Sequence, residues 1–334
     1  MQKTNFYNLP DREKLLLFTQ VKEDIQLPLP SIEKDWWVVL TLALVFKMEA
    51  APHLVFKGGT SLSKAWGIIE RFSEDVDLSL SREFLGFGGK ISRTQVGKLR
   101  DASFQYISQS FLQELRDAFH NNGFEGVEID LTEVKTPDQD PVNIAIRYPS
   151  VVEKSDYVLP PVKLEIGSRF MLEPFTERQF CSLVGQKFAG HPFADENITI
   201  PCVNPERTFL EKLFLLHEEF KRPEKEIRVK QMSRHIYDIQ KIHKTEFSKI
   251  AMENTELYKS LVEHREHFMR WGGVDYSTHF PPYLNPVPPE HLLAAWETDY
   301  KTMQEQMIYG ESLPFKKLIE ELRSITETIN NIEF

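Results

Sequence analysis

The sequence predicts an α+β fold, with a mixed sheet and its helices in the first 200 residues and a helical region after them. Short apolar runs that alternate with polar residues are confined to the first 200 of the 334 residues. Beyond residue 204 the apolar residues recur at helical spacing instead. The composition, 41% hydrophobic and 27% charged, is that of a folded protein. We therefore expect two domains, residues 1–200 and residues 201–334.

The elements of the first domain can be assigned in chain order. Ser31 is a plausible N-cap, so a helix should run from there to about residue 50. Residues 75–80 alternate as a strand should, with Val76, Leu78 and Leu80 on one face. The other predicted elements are helices over 11–22, 60–70 and 96–120 and strands over 53–57, 127–134, 142–148 and 162–166.

The second domain should be helical. Asn204 followed by Pro205 supplies an N-cap and a proline at the first helical position, so a helix is expected to reach about residue 220. Another helix should cover residues 233–243. A proline cluster over residues 281–289 predicts a loop, and two helices are expected after it.

Composition and charge exclude several classes of protein. No apolar run approaches the ~20 residues that cross a bilayer, and the N-terminus does not resemble a signal peptide. Cys181 and Cys202 match no metal or redox spacing, so we expect buried thiols in a cytoplasmic protein. The net charge of −10 argues against broad coating of nucleic acid. The basic run at residues 221–234 is either a solvated surface or a local docking site.

The most informative segment joins a glycine pair to two carboxylates. Gly58 and Gly59 end a predicted strand, and such a turn lets the backbone approach a phosphate, with Thr60 or Ser61 as a hydroxyl donor. Asp75 and Asp77 lie two apart on the next strand, so both point to one face.

Two carboxylates on one face favour a cation, and Mg²⁺ is the usual cation beside phosphates. Alone, the glycine segment could be an ordinary capped strand-to-helix turn, and the aspartates could lie on the solvent-facing side of a strand. Together, the two segments indicate chemistry on a nucleoside triphosphate. The Gly-x4-Gly-Lys-Ser/Thr pattern of P-loop proteins is absent.

The segment Gly-Gly-Thr-Ser-Leu-x-Lys followed by Arg-Phe-Ser-Glu-Asp-Val-Asp-Leu resembles the AbiEii/AbiGii toxin family. The likeness extends from residues 32–37 to residues 299–303. It implies a nucleotidyltransferase core of the DNA polymerase β type, which the helical domain would complete at the active-site cleft. It also places Lys64, the last residue of the first motif, among the phosphate-binding residues.

Two further residues are assigned by this resemblance. The helix that begins at Asn204 matches the segment in which the family carries a functional lysine, so Lys212 would contact the triphosphate. Asp238 would belong to the catalytic centre, with Arg234 orienting it or contacting phosphate. The residues by themselves favour an exposed lysine at 212, and a surface ion pair at i,i+4 spacing is the alternative for Arg234 and Asp238.

A third metal ligand is expected from a later strand. Glu165 points away from the apolar face of its strand, and polymerase β-type enzymes often take their third acid from a strand at this place in the order. Glu128 and Asp130, on an earlier strand, compete with it.

The resemblance implies Mg²⁺-dependent transfer of a nucleotide from an NTP, with release of pyrophosphate. Relatives that act on tRNA make tRNA the expected acceptor, and toxins of this kind imply a cognate antitoxin and a role in phage defence. A protein or small-molecule acceptor and a non-catalytic NTP-binding regulator stay open, and the preferred base is not indicated.

Overall fold

The computed structural model describes residues 6–132, 134–136, 138–153 and 161–334. The chain forms two compact units. The first comprises the residues up to Ala65 together with Phe72–Val203, and the second comprises Trp66–Arg71 together with Asn204–Phe334. The architecture is mixed α and β, with a mixed sheet and many helices, as the sequence predicts. Within the described residues, no helix combines the length and the apolar character that a membrane span needs.

The first unit contains a seven-stranded sheet in the order β3-β4-β5-β2-β1-β7-β6. The β1–β7 and β2–β5 pairs are parallel, and the other neighbours are antiparallel. The strands are β1 (Leu54–Lys57), β2 (Asp75–Leu80), β3 (Glu128–Leu131), β4 (Val142–Arg147), β5 (Val162–Gly167), β6 (Phe175–Phe180) and β7 (Ile198–Val203).

Alternating side chains give the central strand β2 two different faces. Val76, Leu78 and Leu80 are completely buried, as the apolar half of the alternation predicts. Asp75 and Asp77 lie on the other face and are partly exposed. The strand therefore anchors one face in the core while it presents two carboxylates on the other.

The first unit also contains six helices within its described residues. A five-residue π-helical segment, Ile107–Phe111, joins the fourth of them to the fifth, so one helical stretch covers the predicted 96–120. These helices are α1 (Asp11–Ile25), α2 (Leu29–Val45), α3 (Gly58–Lys64), α4 (Arg93–Tyr106), α5 (Leu112–Asn121) and α6 (Leu183–Lys187).

The boundaries predicted for α2 are wrong. Pro28 occupies the N-cap position and Pro30 the first turn, where a missing N–H costs no helical hydrogen bond. Ser31 is therefore inside the helix and fully buried rather than capping it. The helix ends at Val45, five residues before the expected end.

The predicted helix over residues 60–70 is also shorter, because α3 ends at Lys64 and Trp66–Arg71 belongs to the second unit. Strands β6 and β7 were not predicted at all. The sequence of β6 is mostly polar, as befits an edge strand, and Pro201 obscures the strand pattern of β7.

The second unit is helical in its described residues. Pro205 begins α7 as expected, but the Asn204 side chain donates to Glu206 instead of accepting from the helix backbone. The predicted 233–243 helix matches α8. The helices are α7 (Pro205–Glu219), α8 (Ser233–His243), α9 (Glu246–Glu253), α10 (Thr255–Phe268), α11 (Leu293–Gln306) and α12 (Phe315–Asn330).

Candidate active site

A row of polar residues crosses four strands of the sheet in the first unit. Lys57 of β1 is paired with Asp77 of β2, which is paired with Glu165 of β5, which is paired with Asn143 of β4. Residues directly opposite each other in a sheet point to the same side. Asp77 and Glu165 therefore lie side by side, and Asp75 lies on the same face, two residues from Asp77.

The competitors for the third acid lie elsewhere. Two strands, β4 and β5, separate β3 from β2, so Glu128 and Asp130 are far from the aspartates. Asp130 also forms ion pairs with Arg116 and Arg147. Of the three acids considered, only Glu165 is adjacent to the aspartate pair.

Glu165 experiences the concentrated negative charge of this row. Burial, and then the nearby Asp77 carboxylate, raise the pKa of Glu165 to about 7. A carboxylic acid with such a pKa is partly protonated near neutral pH. A cation beside it would stabilise the ionised form instead. The row is thus short of positive charge.

Gly58 brings the backbone against the Asp77 carboxylate. Its φ of +82° suits glycine, and a β-carbon at this position would overlap Oδ2 of Asp77 and lie 2.9 Å from Cγ. The first glycine of the predicted phosphate turn is therefore required by a close approach to a site carboxylate.

The two hydroxyl residues after the glycines are both buried. Thr60 is buried, and its Oγ1 donates a 2.5 Å hydrogen bond to the backbone carbonyl of Asp75. Ser61 is 2% exposed and lies beside Cys202, a buried free cysteine of β7 like Cys181 of the same unit. Thr60 thus fixes the start of β2, and both side chains lie in the interior of the first unit.

Lys64, expected to bind phosphate, forms a buried ion pair instead. Its ammonium lies 2.8 Å from Asp35, and both side chains are 6% exposed. The other oxygen of Asp35 accepts a hydrogen bond from the backbone of Leu183. Buried cations of this kind are held by their partner, so this ion pair links α3 to α2 within the first unit, and phosphate binding by Lys64 stays a prediction.

The aspartates fit a magnesium site in which the substrate completes the coordination. Oδ1 of Asp75 is buried and has no hydrogen-bond partner, which is costly unless a cation or water satisfies it. Among the described residues, no group of three or more His, Cys, Asp or Glu is arranged to hold a metal ion by itself. Mg²⁺ commonly takes one or two carboxylates and completes its shell with water and substrate phosphates, so the donor set matches.

A second charged cluster lies in the second unit and contains Lys212 and Asp238. Both oxygens of Asp238 accept from Arg71, whose Nε and Nη2 each lie 2.7 Å away. The Lys212 ammonium lies 2.8 Å from Oδ2 of the same carboxylate. Asp238 is completely buried and Arg71 is 2% exposed. The predicted residues Lys212 and Asp238 are thus in contact.

Arg71 rather than Arg234 is the arginine that pairs with Asp238. Within the described part of the chain, no ion pair joins Arg234 to Asp238, so the i,i+4 surface pair is not formed. Although burial alone would raise the pKa of Asp238, the two cations hold that pKa well below its usual range. Sequence reasoning missed Arg71, although it stands four residues before Asp75 in the motif.

Some cations of the basic run at residues 221–234 form contacts within the second unit. The guanidinium of Arg222 lies over the Trp271 ring at 3.2 Å and also contacts Glu219. Arg228 forms a second ion pair with Glu219. The exposed cations of the run include Lys221, Lys225 and Lys230.

Comparison with known protein families gives a match over most of the chain. The family model described as "Nucleotidyl transferase AbiEii toxin, Type IV TA system" covers residues 43–323. This range begins within α2 and ends within α12, so it contains both charged clusters. No individually curated protein matches the chain.

Proposed function

We propose that this chain, which belongs to the nucleotidyl transferase AbiEii toxin family of type IV toxin–antitoxin systems, transfers a nucleoside monophosphate from an NTP to an RNA hydroxyl. The observation that carries the proposal is the position of Asp75 and Asp77 on one strand face beside Glu165, with a carboxylate oxygen of Asp75 unpaired. Family membership implies an NTP substrate and a cognate antitoxin. Mg²⁺, tRNA and phage defence belong to the proposal.

The residues of the first unit would bind and align the NTP. Mg²⁺ held by Asp75 and Asp77 would neutralise phosphate charge and lower the pKa of the acceptor hydroxyl. The turn at Gly58 and Gly59 would let backbone N–H groups approach the phosphates. Glu165, next to Asp77, is the proposed third carboxylate.

The chemical step is a displacement at the α-phosphorus. The acceptor hydroxyl gives its proton to solvent water and bonds to that phosphorus, while the bond to the bridging oxygen breaks and pyrophosphate leaves. Lys212 would offset the charge that grows on the leaving pyrophosphate. This role for Lys212 rests on the family resemblance, and Lys212 retains positive neighbours that suit an anion.

The acceptor is proposed to be tRNA. The resemblance to tRNA-acting relatives supports this choice, and so do the exposed cations Lys221, Lys225 and Lys230, which suit a phosphate backbone.

The test is incubation of the protein with each α-labelled NTP, Mg²⁺ and total tRNA. We expect nuclease-sensitive label that EDTA abolishes and that Asp75→Asn reduces by about 10²–10³-fold, since charge stabilisation in the transition state is lost. Asp130→Asn, which alters a carboxylate of β3 held by arginines, is the matched control and should label normally. Undiminished labelling by Asp75→Asn would refute the metal assignment.

The other acceptors are outcomes of the same experiment. Label that survives nuclease but not protease identifies a protein acceptor, and label that survives both points to a small molecule. NTP binding without release of pyrophosphate from any mixture would identify a non-catalytic regulator.

A further inference from the structure

Both oxygens of the Asp238 carboxylate are engaged by cations. Its Oδ1 accepts from Nε of Arg71, and its Oδ2 accepts from Nη2 of Arg71 and lies 2.8 Å from the Lys212 ammonium. A bidentate pair of this kind fixes both the distance and the plane of the carboxylate. With no exposed surface, Asp238 can act on a substrate only through the groups that it holds.

Arg71 is itself held in place by the second unit. The backbone N–H of the preceding residue, Glu70, donates to the Tyr237 hydroxyl at 3.3 Å, and its carbonyl accepts from the N–H of Tyr309 at 3.0 Å. Arg71 forms an isolated β-bridge with Ile308. The backbone that carries the Arg71 side chain is therefore held in place, so its guanidinium can fix the position of the Asp238 carboxylate.

Lys212 lies in a cluster with more positive than negative charge. Burial lowers its pKa, the Asp238 carboxylate raises it, and the charges of Arg71 and Arg234 lower it. His235 contacts Lys212 through Nδ1 at 3.4 Å, and burial together with the charges of Lys212 and Arg234 lowers the pKa of the histidine. Asp238 is the one carboxylate in direct contact with Lys212 among the described residues, and Lys212 shares it with Arg71.

We infer that Arg71 is a positioning residue of the nucleotidyl transfer reaction: its bidentate pair fixes Asp238, which orients the Lys212 ammonium toward the triphosphate. The inference rests on the proposed function, because it assumes that Lys212 contacts the NTP. It assigns Asp238 an indirect role rather than direct contact with metal or substrate. A lysine cannot replace the planar fork of an arginine at such a pair, so Arg71 should be sensitive to a substitution that keeps its charge.

The first experiment separates geometry from charge. Arg71→Lys keeps the charge but loses the fork, and we expect kcat/KM for the NTP to fall at least about tenfold, because small misplacements of a catalytic group are costly. The matched control is Arg265→Lys, which breaks the buried bidentate pair of Arg265 with Glu218 in the same unit. The control should lose comparable thermal stability and keep its kcat/KM. Equal activities of Arg71→Lys and Arg265→Lys would overturn the inference.

The second experiment uses the pH profile, which a merely structural role would not move. Asp238→Asn removes the charge that supports protonated Lys212, so the alkaline limb of kcat/KM should move to lower pH. Arg71→Met removes a charge that opposes protonation, so the limb should move to higher pH while the maximal kcat/KM falls. The coupling of Arg71, Asp238 and Lys212 would be contradicted if the alkaline limb of kcat/KM stayed in place in both variants. It would also be contradicted if the limb moved in the same direction in both.

A third readout does not require activity. Trace acetylation of lysines over a pH series, read by peptide mass spectrometry, reports the protonation of Lys212 directly, with exposed Lys249 as the reference. The Lys212 titration should shift down in Asp238→Asn and up in Arg71→Met. If wild-type protein transfers no nucleotide yet these shifts occur, the proposed function fails while the charge coupling stands. Unchanged titration in both variants overturns the inference whatever the activity.

Discussion

Replacing Gly58 with alanine should disable the site through a single methyl group. The new β-carbon would lie 2.9 Å from Cγ of Asp77 and overlap its Oδ2. Because carbon atoms pack at about 3.5–4.0 Å, the carboxylate or the turn must retreat by about 0.6–1.1 Å. A shift of about 1 Å in a reacting group can cost about 10²-fold in rate. We therefore expect Gly58→Ala to lower nucleotidyl transfer by about two orders of magnitude.

The cost of backbone strain in Gly58→Ala can be measured separately from the cost of the clash with Asp77. Gly86 has a φ of +84°, almost that of Gly58, but nothing lies within 4 Å of a β-carbon there. Gly86→Ala should therefore show only the cost of a left-handed conformation, about 1–2 kcal/mol, which urea unfolding measures. Gly58→Ala should show at least that loss of stability together with the loss of activity.

The assay is label transfer at saturating Mg²⁺, with both variants compared at a temperature where both are folded. Activity of Gly58→Ala within threefold of wild type would refute the argument. So would an equal loss of activity in Gly86→Ala, because strain alone would then account for the effect.

Three further predictions concern the same unit. Thr60→Val should lower the free energy of unfolding by about 0.5–1.5 kcal/mol, because it removes the part-buried hydrogen bond to the carbonyl of Asp75, whereas Thr60→Ser should retain that bond. Burial raises the pKa of Glu165 to about 7, so in EDTA the stability of the wild type should fall as pH rises from about 4.5 to 7, and Glu165→Gln should lack this slope in urea unfolding. Lys64→Met should cost about 3–5 kcal/mol and the double variant with Asp35→Leu much less, both measured by unfolding. The NTP KM of that double variant should match wild type, and a tenfold rise would show that Lys64 contacts phosphate after all.

The spacing of apolar residues along the sequence correctly predicted elements whose one face packs against the core. Strand β2 occupies residues 75–80 as expected, because its alternation of apolar and acidic residues allows no other register against the core. The helix Ser233–His243 likewise has an apolar face with helical spacing. The start of α2 was missed because the prolines at its first turn favour helix initiation more than Ser31 does.

Pairings that are distant in sequence could not be predicted in the same way. Arg71 and Asp238 are separated by 167 residues, and nothing in the spacing of either segment indicates that they meet. The preference for Glu165 over Glu128 and Asp130 depends on strand order, which leaves two strands between β3 and β2. Charge was the one sequence feature that pointed to the pairing of Arg71 with Asp238. Arg71 lies within an acidic motif and Asp238 lies on an apolar helix face, and a charged side chain needs a partner of opposite charge when it is buried.

The charged cluster of the first unit and that of the second unit have opposite net charges. In the first unit, Asp75, Asp77 and Glu165 share one face, and burial together with the neighbouring aspartates raises the pKa of Glu165 to about 7. In the second unit, one carboxylate serves both Arg71 and Lys212, so positive charge exceeds negative charge there, while burial is the main cause of the lowered pKa of Lys212. The charge of each unit's own cluster therefore differs in sign: the carboxylates of the first unit suit a cation, and the arginine and lysine of the second unit suit an anion.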